Sequence, residues 1–409
     1  MTEIRTVITG LGIVSPIGTG VEAFWNAAVK GTCGVRPLTC IDTTDFKTKT
    51  GGEVRDFDAA AYIAPEKIKT MGRSSQFAIA AAKMAVSQAG IEFTKENPYR
   101  VAVCIGTTMG EPQILEQGIK AKYTASSADA IPADLPRQYP CAVIPANVAR
   151  EFGVRGPSVI IPTACAAGNY AIGYACDLIK LGRADVVIAG GSDPFSSIAF
   201  TGFNRLLATT DTVPRPFSKN RDGMAVSEGA GVLIIENMEH AKKRGANILA
   251  EILGYGIACD AYKMTIPDPS GSGGIRAMRQ ALRNASITPD AVDYINAHGT
   301  GTKENDKVET LIAKDVLGER VKSIAMSSTK SMIGHTMGAA SAIEACACVL
   351  MLMHGIMLPT INYEEPDPEC DIDCVPNSPR EVNLNIVVSN AYAFAGNCSS
   401  LVLAKFTGS

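Results

Sequence analysis

An α/β fold with mainly parallel strands, built from two related halves, is what the sequence predicts, and three observations predict it. Short apolar runs alternate with longer helical patterns from one end of the chain to the other. At 409 residues the chain exceeds the roughly 100 to 200 residues of one ordinary domain, so it holds two lobes or one large duplicated core. Segments of the first half also return, weakly, in the second.

In chain order the strand candidates are Val7 to Gly10, Val101 to Ile105, Val159 to Ile161, Val186 to Ala189, Val232 to Ile235, Ile324 to Ser327 and Ile386 to Val388. The helical patterns lie at Gln76 to Ala89, Ala166 to Leu181, Gly274 to Ala285 and Gly338 to Met353. Arg100-Val-Ala-Val-Cys-Ile-Gly-Thr107 is echoed by Val292-Asp-Tyr-Ile-Asn-Ala-His-Gly-Thr300, each a strand ending in Gly-Thr. Ser158 to Gly168 leads from strand to helix as Ile324 to Gly334 does, and Thr6-Val-Ile-Thr-Gly-Leu-Gly-Ile13 is echoed by Ala250-Glu-Ile-Leu-Gly-Tyr-Gly-Ile257. These echoes divide the chain into halves 1–250 and 251–409. No flexible linker separates them, so one compact unit is expected.

Composition narrows the function classes. Hydrophobic residues make up 46% and charged residues 19%, with 38 glycines, the profile of an ordered enzyme. A net charge of −3 without a Lys/Arg-rich run gives no reason to expect nucleic acid. The opening Met1 to Gly10 reads as a strand and lacks the apolar stretch of a signal peptide. The most apolar later stretch, Ala345 to Met353, is too short to span a bilayer and follows Glu344, so a soluble cytoplasmic protein is expected. Twelve scattered cysteines fit reduced thiols, and neither Cys346/Cys348 nor Cys370/Cys374 has a CxxC spacing, so no metal is expected.

The sharpest local signal is Thr163-Ala-Cys-Ala-Ala-Gly168, where Cys165 falls at the start of a helix. Unpaired amides and the helix dipole there favour thiolate over thiol. A small buried hydrophobe is the plainer role for a cysteine among alanines. Two of the four histidines, His298 and His335, stand in Gly-rich turns after strands, whereas His240 and His354 sit near helix ends and read as structural or surface residues. The polar, Gly-rich segment Lys219 to Gly231 suggests backbone held close to a site, although an ordinary loop would read the same.

Taken together, these residues resemble the β-ketoacyl-acyl carrier protein synthases of the thiolase superfamily, in particular the type II elongation enzymes. The resemblance covers nearly the whole chain, from Gly10-Leu-Gly-Ile-Val-Ser-Pro-Ile-Gly18 through Arg215-Pro-Phe, Arg221-Asp-Gly and Glu228-Gly-Ala-Gly231 to the loop at Phe394. It implies a five-layered αβαβα fold, a Cys-His-His triad of Cys165, His298 and His335, and Lys330 with Glu344 as a supporting pair. The implied activity is a decarboxylative Claisen condensation in fatty acid or polyketide/polyene biosynthesis, joining an acyl group on Cys165 to a malonyl unit. By the same resemblance, backbone amides of Cys165 and Phe394 receive the tetrahedral oxyanion, and two imidazole N–H groups stabilise the enolate. Thr300 and Thr302 match residues that hold a phosphopantetheine arm; turn capping is their plainer role. That arm belongs to the acyl carrier protein, the implied partner, and no cofactor of the enzyme's own is needed. A homodimer, or a heterodimer with a second synthase-like subunit, is also implied.

Three competing readings are weaker. Gly10-Leu-Gly-Ile-Val-Ser15 lacks the third glycine of a dinucleotide loop. Ala393-Phe-Ala-Gly-Asn-Cys398 lacks the Cys-Gly-rich pattern of a thiolase, and a chain-length-factor-like scaffold would have lost the nucleophile. Departures from the family pattern concern substrate: alanines flank Phe394 where glycines are usual, and Met224 follows Gly223 where Phe is common. Met109, Phe203 and Met224 are the expected acyl-pocket residues. Lys67, Lys69, Arg73 and Arg205 are the expected basic patch for an acidic carrier protein.

Overall fold

The computed structural model describes residues 4–408. The first strand runs Thr6–Ser15 (β1), so the Met1–Glu3 part of the expected opening strand lies outside the described residues. Nine further strands of three residues or more follow among the described residues: Val101–Gly106 (β2), Ser158–Ile161 (β3), Val186–Asp193 (β4), Gly229–Asn237 (β5), Ala250–Cys259 (β6), Tyr294–Asn296 (β7), Ala325–Ser327 (β8), Ile386–Tyr392 (β9) and Asn397–Lys405 (β10). Their spatial order is β8-β7-β9-β10-β6-β1-β5-β4-β2-β3. Each half therefore has the same five-strand order, and the halves meet where β1 pairs with β6.

The strands are not mainly parallel as expected. In each half one reversed strand, β5 or β10, sits between two others, making two pairings antiparallel beside two parallel ones. The central β1–β6 pairing is antiparallel as well. A short apolar run carries no mark of its direction, which is why the reversal escaped the sequence.

Helices complete five layers, in agreement with the αβαβα expectation. Arg73–Ala89 (α1) and Val143–Phe152 (α2) cover the outer face of the first sheet, and Ser272–Asn284 (α4) with Lys303–Leu317 (α5) cover the outer face of the second. Ala167–Lys180 (α3) and Ala340–His354 (α6) pack together between the sheets. Three cores result: a central one around α3 and α6, and one under each outer layer. Every residue of β1, β4 and most of β5 is buried, as in a sheet covered on both faces.

The Gly-x-Gly echo has a packing cause. A Cβ on Gly12 would lie 1.8 Å from the Ala81 carbonyl oxygen of α1, and one on Gly256 would lie 2.0 Å from the Ala277 oxygen of α4. Both glycines let an outer helix touch its strand, and Gly10-Leu-Gly12 is mid-strand, not a phosphate loop. The apolar stretch around α6 is longer than the sequence reading allowed: the 18-residue window Met337–His354 is long and apolar enough to cross a membrane. It is 89% buried within the protein, as a central core helix should be.

Candidate active site

Cys165 sits in a tight turn, Ala164–Ala166, between β3 and α3, and Ala164 takes a left-handed φ of 51°. That conformation costs a side-chain-bearing residue roughly 1–2 kcal/mol and is held from outside. Ser341 of α6 supplies the hold: its hydroxyl donates to the Cys165 carbonyl at 3.2 Å and accepts from the Asn169 N–H at 3.0 Å. His298 follows β7, its loop pinned by Glu309 of α5, whose two oxygens accept the N–H groups of His298 and Gly299 at 2.8 Å each. His335 follows the short helix Lys330–Ile333, and its backbone bonds to Ala225 at 2.7 Å and Ser227 at 2.9 Å. The Gly-rich segment Lys219 to Gly231 is thus tied to the site.

These three side chains converge. One ring nitrogen of each histidine and the Cys165 sulfur all lie within 4.8 Å of one another, and the rings meet edge to face at 5.4 Å. Hydrogen bonds fix the protons on both rings. Nδ1 of His298 faces the Lys330 ammonium at 3.3 Å, and Nδ1 of His335 accepts the Met337 N–H at 3.1 Å. An ammonium and an amide are donors only, so each Nδ1 is the bare nitrogen and each Nε2 carries the proton. Burial, with Lys330 close by, holds both rings well below their ordinary pKa, so they are neutral. The same three side chains are close enough together to hold a metal ion.

The expectation of a thiolate at Cys165 is corrected here. Burial pushes the thiol up to about 11, outweighing Lys330 and the backbone N–H groups of Cys165 and Phe394, which pull it down. Those two amides face the sulfur, the arrangement needed to receive an oxyanion next to it. Lys330 donates to Glu344 at 2.5 Å, both buried, and burial lifts Glu344 to about 7 against the pull of Lys330.

A cavity of about 800 Å³ opens onto the triad. Phe203, Met224, Thr300, Thr302 and Phe394 line it, the two threonine hydroxyls 2.9 Å apart. Phe394 packs on Phe203 at 5.3 Å between ring centres. Met109 does not reach the cavity: its segment is anchored by the Asp193 carboxylate at the end of β4, and its side chain is exposed. Of the four basic residues, only Arg205 stands beside the mouth, next to the lining residue Leu206. Arg73 is a structural residue, paired with buried Glu228 at 2.8 Å and lying over Phe77, while Lys67 pairs with Glu151 and Lys69 lines a different, smaller pocket. His240 bonds Glu236 and Glu96, and His354 stacks on Trp25, the structural roles expected of them.

Sequence reasoning missed three residues at this site. Glu309 orients His298 from eleven residues along the chain, Arg221 binds the carbonyls of Thr302 and Lys303, and Asp193 lies near Cys165. Arg221 stood in a recognised motif and could have been found; a lone Glu or Asp inside a helix or strand gives no such signal.

Comparison with known proteins agrees with this geometry. Residues 4–241 match the family model "Beta-ketoacyl synthase, N-terminal domain" and residues 249–364 its "C-terminal domain" counterpart. The chain is 40% identical over 412 residues to 3-oxoacyl-[acyl-carrier-protein] synthase 2 of Coxiella burnetii (strain RSA 493 / Nine Mile phase I), covering 99% of each. It is 40% identical over 413 residues to the protein of that name from Vibrio harveyi, again covering 99% of each. Among solved structures, the ishigamide ketosynthase/chain length factor superposes with a TM-score of 0.96 at 41% identity, over 99% of this chain and 100% of that one. A type II polyketide acyl-carrier protein in complex with its ketosynthase bound to the hexaketide gives 0.92 at 34%, over 99% and 100%. With that coverage, and with fold and site in agreement, the chain belongs to the β-ketoacyl synthase family.

Proposed function

We propose that the chain catalyses decarboxylative condensation of an acyl group held on Cys165 with a malonyl unit, both delivered by acyl carrier protein. The observation that carries the reading is the convergence of both imidazole rings on the Cys165 sulfur, each with its Nδ1 facing a donor and so its proton on Nε2. In the first half-reaction the sulfur forms a bond to the acyl carbonyl carbon and the carrier thiolate leaves. A thiol held at about 11 must give up its proton as it attacks, and the departing carrier thiolate takes it up. The carbonyl oxygen, negative in the tetrahedral intermediate, meets the N–H groups of Cys165 and Phe394.

In the second half-reaction malonyl thioester loses carbon dioxide and negative charge gathers on its thioester oxygen. Two neutral N–H donors, His298 and His335, stabilise that enolate without protonating it. Its carbon attacks the acyl carbonyl, the bond to Cys165 breaks, and the departing thiolate takes up a proton from water, replacing the one that left with the carrier thiol. The energy for carbon–carbon bond formation comes from decarboxylation, so the residues named suffice. Thr300 and Thr302 are read as contacts for the phosphopantetheine arm, which arrives on the carrier protein.

The relatives divide between fatty acid and polyketide assembly, and alanine at 393 and 395 favours a specialised, narrow acyl range. A second subunit is part of the proposal. Strand β3 is an open edge with Val159, Ile160 and Ile161 half-buried, whereas the opposite edge strand β8 is covered by the Met326–Asp373 backbone bond. A second synthase-like chain continuing the sheet at β3 would close it. Residues 1–250 and 251–409 are read as the duplicated halves and the cytoplasm as the compartment.

The test is Cys165→Ala. Condensation is to vanish while some malonyl decarboxylation persists, because both histidines remain; full condensation in this variant would sink the reading. Mass spectrometry of the acyl group trapped on Cys165, from a panel of carrier thioesters, then identifies the substrate.

A further inference from the structure

Asp193, the last residue of β4, is buried and gathers four donors on its carboxylate. Oδ1 accepts from the Thr107 hydroxyl at 2.7 Å and the Met109 N–H at 3.4 Å; Oδ2 accepts from the Thr108 N–H at 2.7 Å and the Gly338 N–H at 2.6 Å. Thr107 to Met109 follow β2, and Gly338 lies in the turn that opens α6. Only an acceptor without protons of its own satisfies such a set, since an amide in its place would aim an NH2 group at another donor.

The turn it holds is strained. Met337 adopts a left-handed φ of 53°, which costs a side-chain-bearing residue roughly 1–2 kcal/mol. Its N–H is the group that donates to Nδ1 of His335. Gly338 has no slack: a Cβ there would lie 2.5 Å from the Thr107 carbonyl carbon and 2.7 Å from Asp193 Oδ2. The carboxylate thus grips the residue next to the strained one, and the strained one sets the ring.

We propose that Asp193 is a positioning residue for His335, holding the Met337 N–H on Nδ1 through Gly338 and so keeping the Nε2–H of His335 directed at the reaction. Its kinetic consequence rests on the reading of His335 as an enolate donor; the tautomer does not. Without the grip, the turn relaxes toward an ordinary φ, the Met337 N–H swings away, and Nδ1 is free to take the proton.

The experiment uses the full chain labelled with ¹⁵N at histidine, together with the two partial reactions. In the wild type His335 shows a bare Nδ1 and a protonated Nε2. Asp193→Asn is to shift this ring toward the Nδ1–H form and to lower malonyl decarboxylation about ten-fold more than acyl transfer to Cys165. Asp193→Glu keeps the charge but pushes the same turn by one methylene, and shows the same pattern at smaller size where the amide variant does not fold. An unchanged His335 ring in a folded Asp193 variant overturns the proposal, as does an equal fall in both partial reactions. A shifted ring with unaltered decarboxylation supports the positioning and overturns the enolate role of His335 instead.

Discussion

Replacing Lys330 with methionine removes an ammonium that serves two neighbours and keeps the length of the side chain. Lys330 is 1% exposed and Glu344 0%, so the variant leaves a buried carboxylate without its partner, a loss of about 3–5 kcal/mol in comparable cases. The low end applies near neutrality, because Glu344 already titrates at about 7 and can escape by taking a proton. An unfolding entropy of about 2.1 cal/mol/K per residue makes 3 kcal/mol a fall of about 3–4 °C in Tm for a chain of 409 residues. The sign with pH follows from linkage. The folded state keeps a proton on Glu344 that the unfolded chain has lost above its ordinary pKa, so stability drops as pH rises toward the folded value. Without Lys330 that value is higher still and the drop continues further, so the deficit against wild type widens from pH 6 to pH 9. Chemically, His298 loses the donor that fixes its proton. Decarboxylation is to fall by about 10²–10³, as when an oxyanion loses one donor, because the Nε2–H of His298 is no longer fixed. The assay is carbon dioxide release from malonyl carrier protein beside calorimetric Tm. Lys330→Met with Glu344→Leu is to recover the Tm but not the rate, since a buried pair replaced by apolar residues is close to neutral. A recovered rate in the double variant would refute the role given to Lys330 and reduce it to packing.

Arg205→Glu is expected to raise the KM for carrier-bound substrate several-fold and spare small thioester mimics, whereas Arg73→Glu, which breaks the pair with Glu228, is expected to lower Tm; equal effects of Arg205→Glu on both substrates would refute the docking role. Ala395 has a left-handed φ of 61° while Ala393 is extended, so Ala395→Gly alone should free the loop. The relief of roughly 1–2 kcal/mol is largely offset by the roughly 0.5–1 kcal/mol of chain entropy that glycine adds, leaving Tm nearly level. Acylation rates across chain lengths are to flatten in that variant, and an unaltered profile would assign selectivity to Phe203 and Met224. Because burial keeps His298 and His335 neutral in the fold, the unfolded chain takes up protons that the folded one refuses as pH falls through 6.5. The wild type is therefore to lose stability on acidification faster than a His298→Asn, His335→Asn variant, and parallel curves in urea would contradict it.

Much of this molecule was legible before its structure, for physical reasons specific to each part. The strands stood out because they are covered on both faces, and the three reacting side chains because each follows a strand in a loop rich in small residues. Partners distant in sequence were not legible. The helix expected from Gln76 begins at Arg73 because Glu111 caps the N–H groups of Ser74 and Ser75 from 36 to 37 residues away. The proton inventory of the site was hidden for the same reason, since Lys330 and Met337 decide it by contact. The charge on Cys165 was misjudged because a helix start is visible in sequence and complete burial is not. Arg73 looked like any surface cation until Glu228 and two phenylalanines were placed around it.

The central place of β1 bears on how the chain is made. It is buried along its whole length, yet Thr6 pairs with Asn237 and with Ile252, so its neighbours are synthesised about 230 residues later. At roughly 5–20 residues per second, a ribosome would leave this segment unpaired for on the order of 10–45 s. For that interval a sticky, edge-exposed strand protrudes from the nascent chain, open to mispairing. Release from translation before residue 237 would strand it permanently, so truncated products of this gene are expected in inclusion bodies and full-length product to gain from a holding chaperone.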